Sequence, residues 1–518
     1  MPNKFLQNII PREYQQKIFE TCREKNCLVV LPTGIGKTLI ALMLVIDRME
    51  KFPKEKIVFL APTKPLAEQH LNYFKKHLPE LFAEIQLFTG SVKPEQRKKI
   101  WQTSDIIFST PQCVANDLRN QLYALEGVSL LIEDEAHRCI KNYDYNYVAQ
   151  KYKEQGKNQR IIGLTASPGS EASKIKEICK NLSVEEVELR TRESEDVKNY
   201  LQELKFEKIL ISFPPELEGI RHILKKIFEQ YVEELRTRKV LFGPATKTSL
   251  IELQKKISST LARGNKNFNY MLGASACAQA IKLQHALELL ETQTLSSFNK
   301  YLRALFDQAS KKQSKGVVRL VAKPEFNFLF MSSSELLAKN FEHPKIQILK
   351  KIIENEQIEN SKMKIMIFTQ FRDTAAIISK ILNQIPGIHS RVFVGQAKKQ
   401  GSGLSQKEQK RIIAKFGAGE INVLCATSIG EEGLDIPEVN SVVFYEPVPS
   451  AIRAIQRAGR TARLMKGKLI ILITKGTRDE SFYYVSRSRE KKMHTAIASI
   501  KDSFLNQKNK SEKQKTLN

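Results

Sequence analysis

From residue 1 to about 190, short apolar runs alternate with stretches whose apolar positions recur at helical spacing. Cys27–Leu31, Ile57–Ala61, Ile106–Phe108, Leu130–Ile132 and Ile161–Leu164 are such runs. Runs this short and this uniformly apolar fit strands buried on both faces, and the spacing between them fits crossover helices. The pattern predicts a parallel sheet covered on both sides. It returns after residue 343, at Lys364–Phe368, Ile421–Cys425, Ser441–Phe444 and Leu469–Ile473. Between the two, strand signals fade from about residue 215. Ile220, Ile223, Leu224 and Ile227 keep helical spacing, and Ala274–Leu290 reads as one long helix.

The pattern therefore predicts an α/β chain with two parallel-sheet domains and a helical insert. The boundaries expected are 1–205, 206–342 and 343–485, followed by a C-terminal helix and a basic tail over 486–518. Gly316 and Pro324 are expected to break the insert's helices. The lysine-rich stretch Asn506–Lys515 is expected to be disordered.

At 518 residues the chain exceeds a single core. Lys and Arg total 83 against 56 Asp and Glu, a net charge of +27, which suits a binder of phosphate backbones or a plain solubility bias. The seven cysteines, at 22, 27, 113, 139, 179, 277 and 425, form no CxxC pair, so neither zinc nor a disulfide framework is indicated. No apolar run approaches membrane-spanning length, and Met1-Pro-Asn-Lys-Phe5 is no signal peptide. An intracellular, cytoplasmic protein associated with the nucleoid is expected, with no membrane partner.

Three segments carry chemistry. Leu31-Pro32-Thr33-Gly34-Ile35-Gly36-Lys37-Thr38 joins a strand to a helix, so backbone N–H groups and a helix N-terminus converge where a phosphate chain would lie. Lys37 would reach the terminal phosphates, and the Thr38 hydroxyl would hold Mg²⁺. Leu31 stands where the usual P-loop has glycine. Glu133-Asp134-Glu135-Ala136-His137 ends another strand, at the edge of a parallel sheet where ligands bind. Asp134 would hold Mg²⁺ through water, Glu135 would deprotonate the attacking water, and His137 would sense the γ-phosphate. Gln456-Arg457-Ala-Gly459-Arg460-Thr-Ala462-Arg463 spaces its arginines three apart, so that on a helix ending near Gly459 Arg457, Arg460 and Arg463 would share one side. Arg460 and Arg463 are candidate arginine fingers, with Gln456 near the γ-phosphate. The order and distances imply an ATPase that closes two domains around one ATP·Mg²⁺.

Other strand ends carry hydroxyls, small residues and cations suited to successive phosphates of one nucleic-acid strand: Thr63 and Lys64, Gly90, Thr110 and Gln112. In the second α/β domain Phe371 and Arg372, and Thr427 and Ser428, hold equivalent places. Thr165 and Ser167 would couple the ATP site to nucleic acid, and Asp435 could touch the ribose. Ordinary helix capping explains each of these singly about as well.

These motifs closely resemble the superfamily 2 helicases, which tolerate the Leu31 departure. Within them the chain is similar to the archaeal Hef helicase and the Fanconi anaemia group M translocase over roughly residues 5–500. His285-Ala-Leu-Glu-Leu-Leu-Glu-Thr-Gln293, Arg391-Val-Phe-Val-Gly-Gln396 with Gly403–Gln409, and Phe444–Ser450 carry the closer likeness. The resemblance implies two RecA-like lobes, a helical insert that grips duplex or branched DNA, and ATP-driven remodelling of stalled forks. It assigns Arg12 and Gln15 to adenine and adds Gln396 to the nucleic-acid contacts. Ala462 replaces a frequent glycine. No Glu-Arg-Lys nuclease signature is present, so cutting is not expected, which leaves room for a nuclease or replication clamp as a partner in trans.

Two other readings stay open at this stage. One is an ATPase directed by double-stranded RNA, since lobes of this kind hold backbone rather than bases. The other is a nucleic-acid-binding scaffold without catalysis, against which Lys37, Asp134, Glu135 and Arg460 all stand.

Overall fold

The computed structural model describes residues 2–263, 268–395, 403–428, 436–461 and 466–515, with the side chains of 2, 3, 268, 501, 502 and 504–515 excepted. The strands are β1 Cys27–Val30, β2 Lys56–Leu60, β3 Ile85–Phe88, β4 Ile106–Ser109, β5 Val128–Asp134, β6 Ile161–Thr165, β7 Glu186–Leu189, β8 Leu204–Ile211, β9 Ile365–Phe368, β10 Ser390–Phe393, β11 Val423–Ala426, β12 Ser441–Phe444 and β13 Gly467–Thr474. They form two sheets, in the orders β3-β4-β2-β5-β6-β1-β7 and β10-β11-β9-β12-β13-β8. Every pairing is parallel. All strands of a sheet thus deliver their C-terminal loops to one edge. The central strands are buried at every position because helices cover both faces, which is why they read as continuous apolar runs.

The first boundary differs from the expected one. Residues 206–211, assigned to the insert by pattern, complete β8, which pairs with β13 from Leu204↔Gly467 to Ile211↔Thr474. As an edge strand, β8 exposes Lys205, Glu207 and Lys208, so it lacks the apolar run that marks a buried strand. The chain therefore lays down one strand of the second lobe before it enters the insert.

The insert comprises the helices Pro215–Thr237, Lys247–Ala262, Phe268–Thr292, Leu295–Ser310, Lys315–Val321 and Pro324–Ala338 around a core that includes Leu224, Leu283, Phe298 and Phe326. Pro324 starts a helix, as proline at a first turn should. Gly316 is not a break. It lies inside Lys315–Val321, where an added Cβ would sit 2.4 Å from Gln279 Nε2, so the glycine permits close helix contact.

A buried polar knot fastens insert to second lobe. Lys345 Nζ donates to Asp479 Oδ2 at 2.5 Å and to the Thr292 carbonyl at 2.9 Å, with both charged side chains fully buried. Thr369 Oγ1 donates to Gln293 Oε1 at 3.3 Å, and the Phe371 ring lies 5.3 Å from that of His285. The stretch His285–Gln293 is thus the seam between insert and lobe.

The last helix, Arg478–Lys515, leaves β13 and crosses back to the first lobe. Met493, Ala496, Ile497 and Ile500 are buried there against Ile175, Ile178 and Val187. Its backbone is helical through Lys515, where the composition suggested a disordered tail. Once the buried turns nucleate the helix, Leu, Gln, Glu and Lys continue it, and no Gly or Pro intervenes to stop it. Among the described residues no helix is long and apolar enough to cross a membrane.

Candidate ATP and nucleic-acid sites

The P-loop is held from below and from the side. Gly34 and Gly36 both have φ of +86°, a conformation that glycine adopts without steric cost. A Cβ on Gly36 would also lie 2.2 Å from Gln15 Nε2. Gln15 donates to the Ile35 carbonyl at 3.2 Å, and its Oε1 accepts from the Arg12 N–H at 2.8 Å, so Gln15 lies against the loop with Arg12 bonded to it. Tyr14 adds a bond from its hydroxyl to the Ile35 carbonyl at 2.5 Å. Lys37 Nζ donates to the carbonyls of Leu31 and Pro32. Leu31 is fully buried, and its N–H donates to the Thr165 carbonyl, which ties the loop to β6.

The acidic segment ends β5, two strands from β1. Burial would raise the Asp134 carboxyl, but the imidazole of His70 and the ammonium of Lys37 outweigh it and hold Asp134 below the usual range. His70 Nε2 lies 2.8 Å from Asp134 Oδ2, and its Nδ1 lies 3.4 Å from Thr38 Oγ1. Tyr145 donates to the Asp134 carbonyl at 2.6 Å. Glu135 has φ of +52°, which costs a non-glycine residue about 1–2 kcal/mol and turns its side chain out of the strand direction. Its Oε2 lies 3.3 Å from His137 Nδ1, which is 3.3 Å from Thr165 Oγ1. Thr165 Oγ1 accepts from the Ser167 N–H, and Ser167 Oγ donates to Met493 Sδ at 2.9 Å. Glu135, His137, Thr165 and Ser167 thus form one connected line that ends on the C-terminal helix.

From the second lobe, the helix Ala451–Ala458 carries Gln456 and Arg457, and Gly459 and Arg460 follow it. Gly459 touches the P-loop: a Cβ there would lie 2.6 Å from the Cβ of Thr33. Arg460 follows directly and is buried, as is Gln456. Arg457 does not share this side. Its guanidinium lies over the rings of Phe368 and Phe444, at 5.0 and 5.6 Å, inside the second lobe. Arg463, Asp435, Gln396 and Ala462 lie outside the described residues. Beside Thr38 and His70 a cleft of about 610 Å³ opens between the lobes, bounded also by Tyr73, Lys76 and Lys410. Lys410 Nζ bonds Glu68 Oε2 across it at 2.8 Å.

Thr63 and Lys64, Gly90, and Thr110 and Gln112 follow β2, β3 and β4, which are neighbours on one flank of the first sheet. Phe371 and Arg372 follow β9, and Thr427 and Ser428 follow the adjacent β11. Thr63, Gly90, Gln112 and Ser428 are exposed, Thr427 is buried, and Phe371 is half-buried against the insert. Arg372 donates to the Gly395 carbonyl at 3.1 Å. The ring of Phe371 is therefore committed to the seam, a contact the local sequence does not reveal.

Mg²⁺ fits the residues present. Thr38 and Asp134 offer hydroxyl and carboxylate oxygens, the hard donors that this ion takes, on either side of one imidazole.

Two RecA-like sheets facing each other across a P-loop and an arginine-bearing helix define a helicase-type motor. The matching family models agree: DEAD/DEAH box helicase over residues 12–175, helicase conserved C-terminal domain over 344–465, and the helical bundle of a putative ATP-dependent RNA helicase over 216–332. The solved Hef helicase domain of Pyrococcus furiosus is 42% identical, with a TM-score of 0.70, covering 92% of this chain and 98% of that one. The chain belongs to this Hef-type family of superfamily 2 helicases. A putative ATP-dependent RNA helicase of Methanocaldococcus jannaschii is 39% identical over 94% of this chain and 61% of its own length. The Fanconi anemia group M protein homolog of Mus musculus is 31% identical over 94% of this chain and 26% of its own. The chain spans about three fifths or less of the length of these curated relatives.

Proposed function

We propose that this chain is an ATP-driven DNA translocase or helicase that acts on forked or branched DNA, as a nucleic-acid-dependent ATPase. The observation that carries the reading is the contact of Gly459 with Thr33, which sets the Arg460 turn of one lobe against the P-loop of the other. Lys37 and the P-loop amides bind the phosphates, Arg12 and Gln15 the adenine. Thr38 and Asp134 hold Mg²⁺, whose bound form neutralises phosphate charge. Glu135 takes the proton of the attacking water, and Arg460 and Gln456 meet the charge that develops on the γ-phosphoryl group. The line from Glu135 through His137 and Thr165 to Ser167 passes the nucleotide state onward. The strand-end loops on the far flank of each sheet hold the DNA backbone, and a net charge of +27 supports that affinity. A nuclease or a replication clamp is the partner in trans that this reading allows, and the cytoplasm at the nucleoid is its place of action.

A second reading, an RNA-directed motor, is favoured by the printed names of the helical-bundle model and the Methanocaldococcus relative. ATPase rates with forked DNA, linear duplex, single strands and double-stranded RNA at one salt concentration decide between them. Forked DNA is expected to stimulate most. Stimulation by double-stranded RNA above every DNA would overturn the DNA assignment.

A further inference from the structure

His70 belongs to none of the helicase motifs read from the sequence, yet it is the residue that links two of them. The helix Lys64–His77 packs its apolar stripe, Ala67, Leu71 and Phe74, on the first sheet, and His70 stands in that stripe at 7% exposure. Its ring lies 4.5 Å from that of Phe59. That packing fixes the plane of the imidazole and presents both nitrogens edge-on, one to each of the groups assigned to Mg²⁺.

A metal-holding hydroxyl must turn its lone pairs to the ion, so its hydrogen needs an acceptor elsewhere. A metal-holding carboxylate works best when one oxygen is fixed and the other left for the ion or its water. With the Nε2 tautomer, His70 meets both needs: Nε2–H donates to Asp134 Oδ2 at 2.8 Å, and Nδ1 accepts the Thr38 hydrogen at 3.4 Å. Asp134 Oδ1 and the Thr38 lone pairs are then left for the ion.

We propose that His70 is a positioning residue of the metal site, orienting Thr38 and Asp134 together for Mg²⁺. The proposal rests on the reading of those two residues as the metal-holding groups. It also gives the helix a second duty. Lys64 at its start follows the exposed Thr63 loop, and Glu68 bonds Lys410 of the other lobe, so the element that orients the metal site also touches the partner lobe.

The test is the Mg²⁺ dependence of nucleotide binding, read with a fluorescent N-methylanthraniloyl-ADP in the absence of DNA. His70→Phe keeps the ring against Phe59 and removes both nitrogens. It is expected to raise the Mg²⁺ midpoint about 10–100-fold. Probe affinity in EDTA should stay that of the parent, a combination that loss of packing alone would not produce. His70→Gln can still donate to Asp134 but cannot bridge to Thr38, so its midpoint should fall between the two. If His70→Phe fails to fold, the Gln variant carries the test by itself. A wild-type Mg²⁺ midpoint in whichever of these variants folds would overturn the proposal. Parent protein whose probe binding ignores Mg²⁺ would overturn the reading of Thr38 and Asp134 instead.

Discussion

Replacing Lys345 by methionine removes the cation from the knot between insert and second lobe and leaves the rest of the packing nearly unchanged. Asp479 would then keep one strong donor, the Thr474 N–H at 3.0 Å, inside a site with no exposure. Burial already lifts the Asp479 carboxyl against the pull of Lys345. Without Lys345 it must be protonated to stay buried. For a carboxyl of ordinary value near 4, that costs about 4 kcal/mol at pH 7. The range for breaking a buried pair is about 3–5 kcal/mol. The Thr292 carbonyl loses its donor as well, which places the sum toward the upper end. Because the native state then binds a proton that the unfolded chain releases, stability falls as pH rises. The defect should therefore shrink to about half its size at pH 5. Urea unfolding by far-UV circular dichroism at both pH values measures this. Trp101 is the sole tryptophan, and it stacks on Tyr123 in the first lobe, so its fluorescence should move much less. Pairing Lys345→Met with Asp479→Leu should recover most of the loss. A single variant within about 1 kcal/mol of the parent at pH 7, or one equally weak at both pH values, would refute the reasoning.

Other expectations are shorter. Glu135→Gln should bind ATP as the parent does and lose hydrolysis, measured by phosphate release with forked DNA; near-parent turnover would remove Glu135 as the base. Gly459→Ala puts a methyl group against Thr33, so DNA-stimulated kcat should drop about tenfold or more with ATP affinity little changed, and parent kcat would mean that the lobes need not close at this point. Burial pushes the Glu133 carboxyl well above its usual range. Its contribution is therefore full below about pH 4.5 and declines by about 1.4 kcal/mol per unit as pH rises toward the folded value. Glu133→Gln should flatten the pH dependence of Tm between pH 5 and 8, and an unchanged slope would count against it. Replacing Lys225, Lys226, Lys255 and Lys256 of the insert by alanine should weaken fork binding and lower its salt slope; an unchanged slope would move the grip to the RecA-like lobes.

The P-loop and the Asp134–His137 segment were legible because each is a local grammar: an apolar run, a turn residue with a special φ, and a helix start within a dozen positions. The two parallel sheets on either side of the insert followed from the same runs. What stayed hidden depends on distance along the chain. His70 meets Asp134 across 64 residues, and Ser167 meets Met493 across 326. One signal for His70 existed. In Ala67, His70, Leu71, Phe74 and His77, two histidines occupy positions that helical spacing reserves for the core. Arg457 misled because three arginines at a spacing of three look alike, whereas burial among Phe368 and Phe444 separates the first from Arg460. β8 escaped because an edge strand with exposed charges carries half the apolar signal of a central one.

The C-terminal helix gives the two lobes a second tie, made by packing rather than by a further chain crossing. The chain passes from β7 to β8 once, and then returns from β13 into the core of the first lobe through Met493, Ala496, Ile497 and Ile500. A hinge with one strap samples a wide cone of open shapes; a hinge with two straps is confined to a narrow arc. Closure on ATP then starts from few conformers, so less conformational entropy is surrendered at each cycle, and the lobes meet at a high effective concentration. A motor that must close and reopen for every step gains speed in re-engaging its track from such a restriction, and it yields range of motion in exchange.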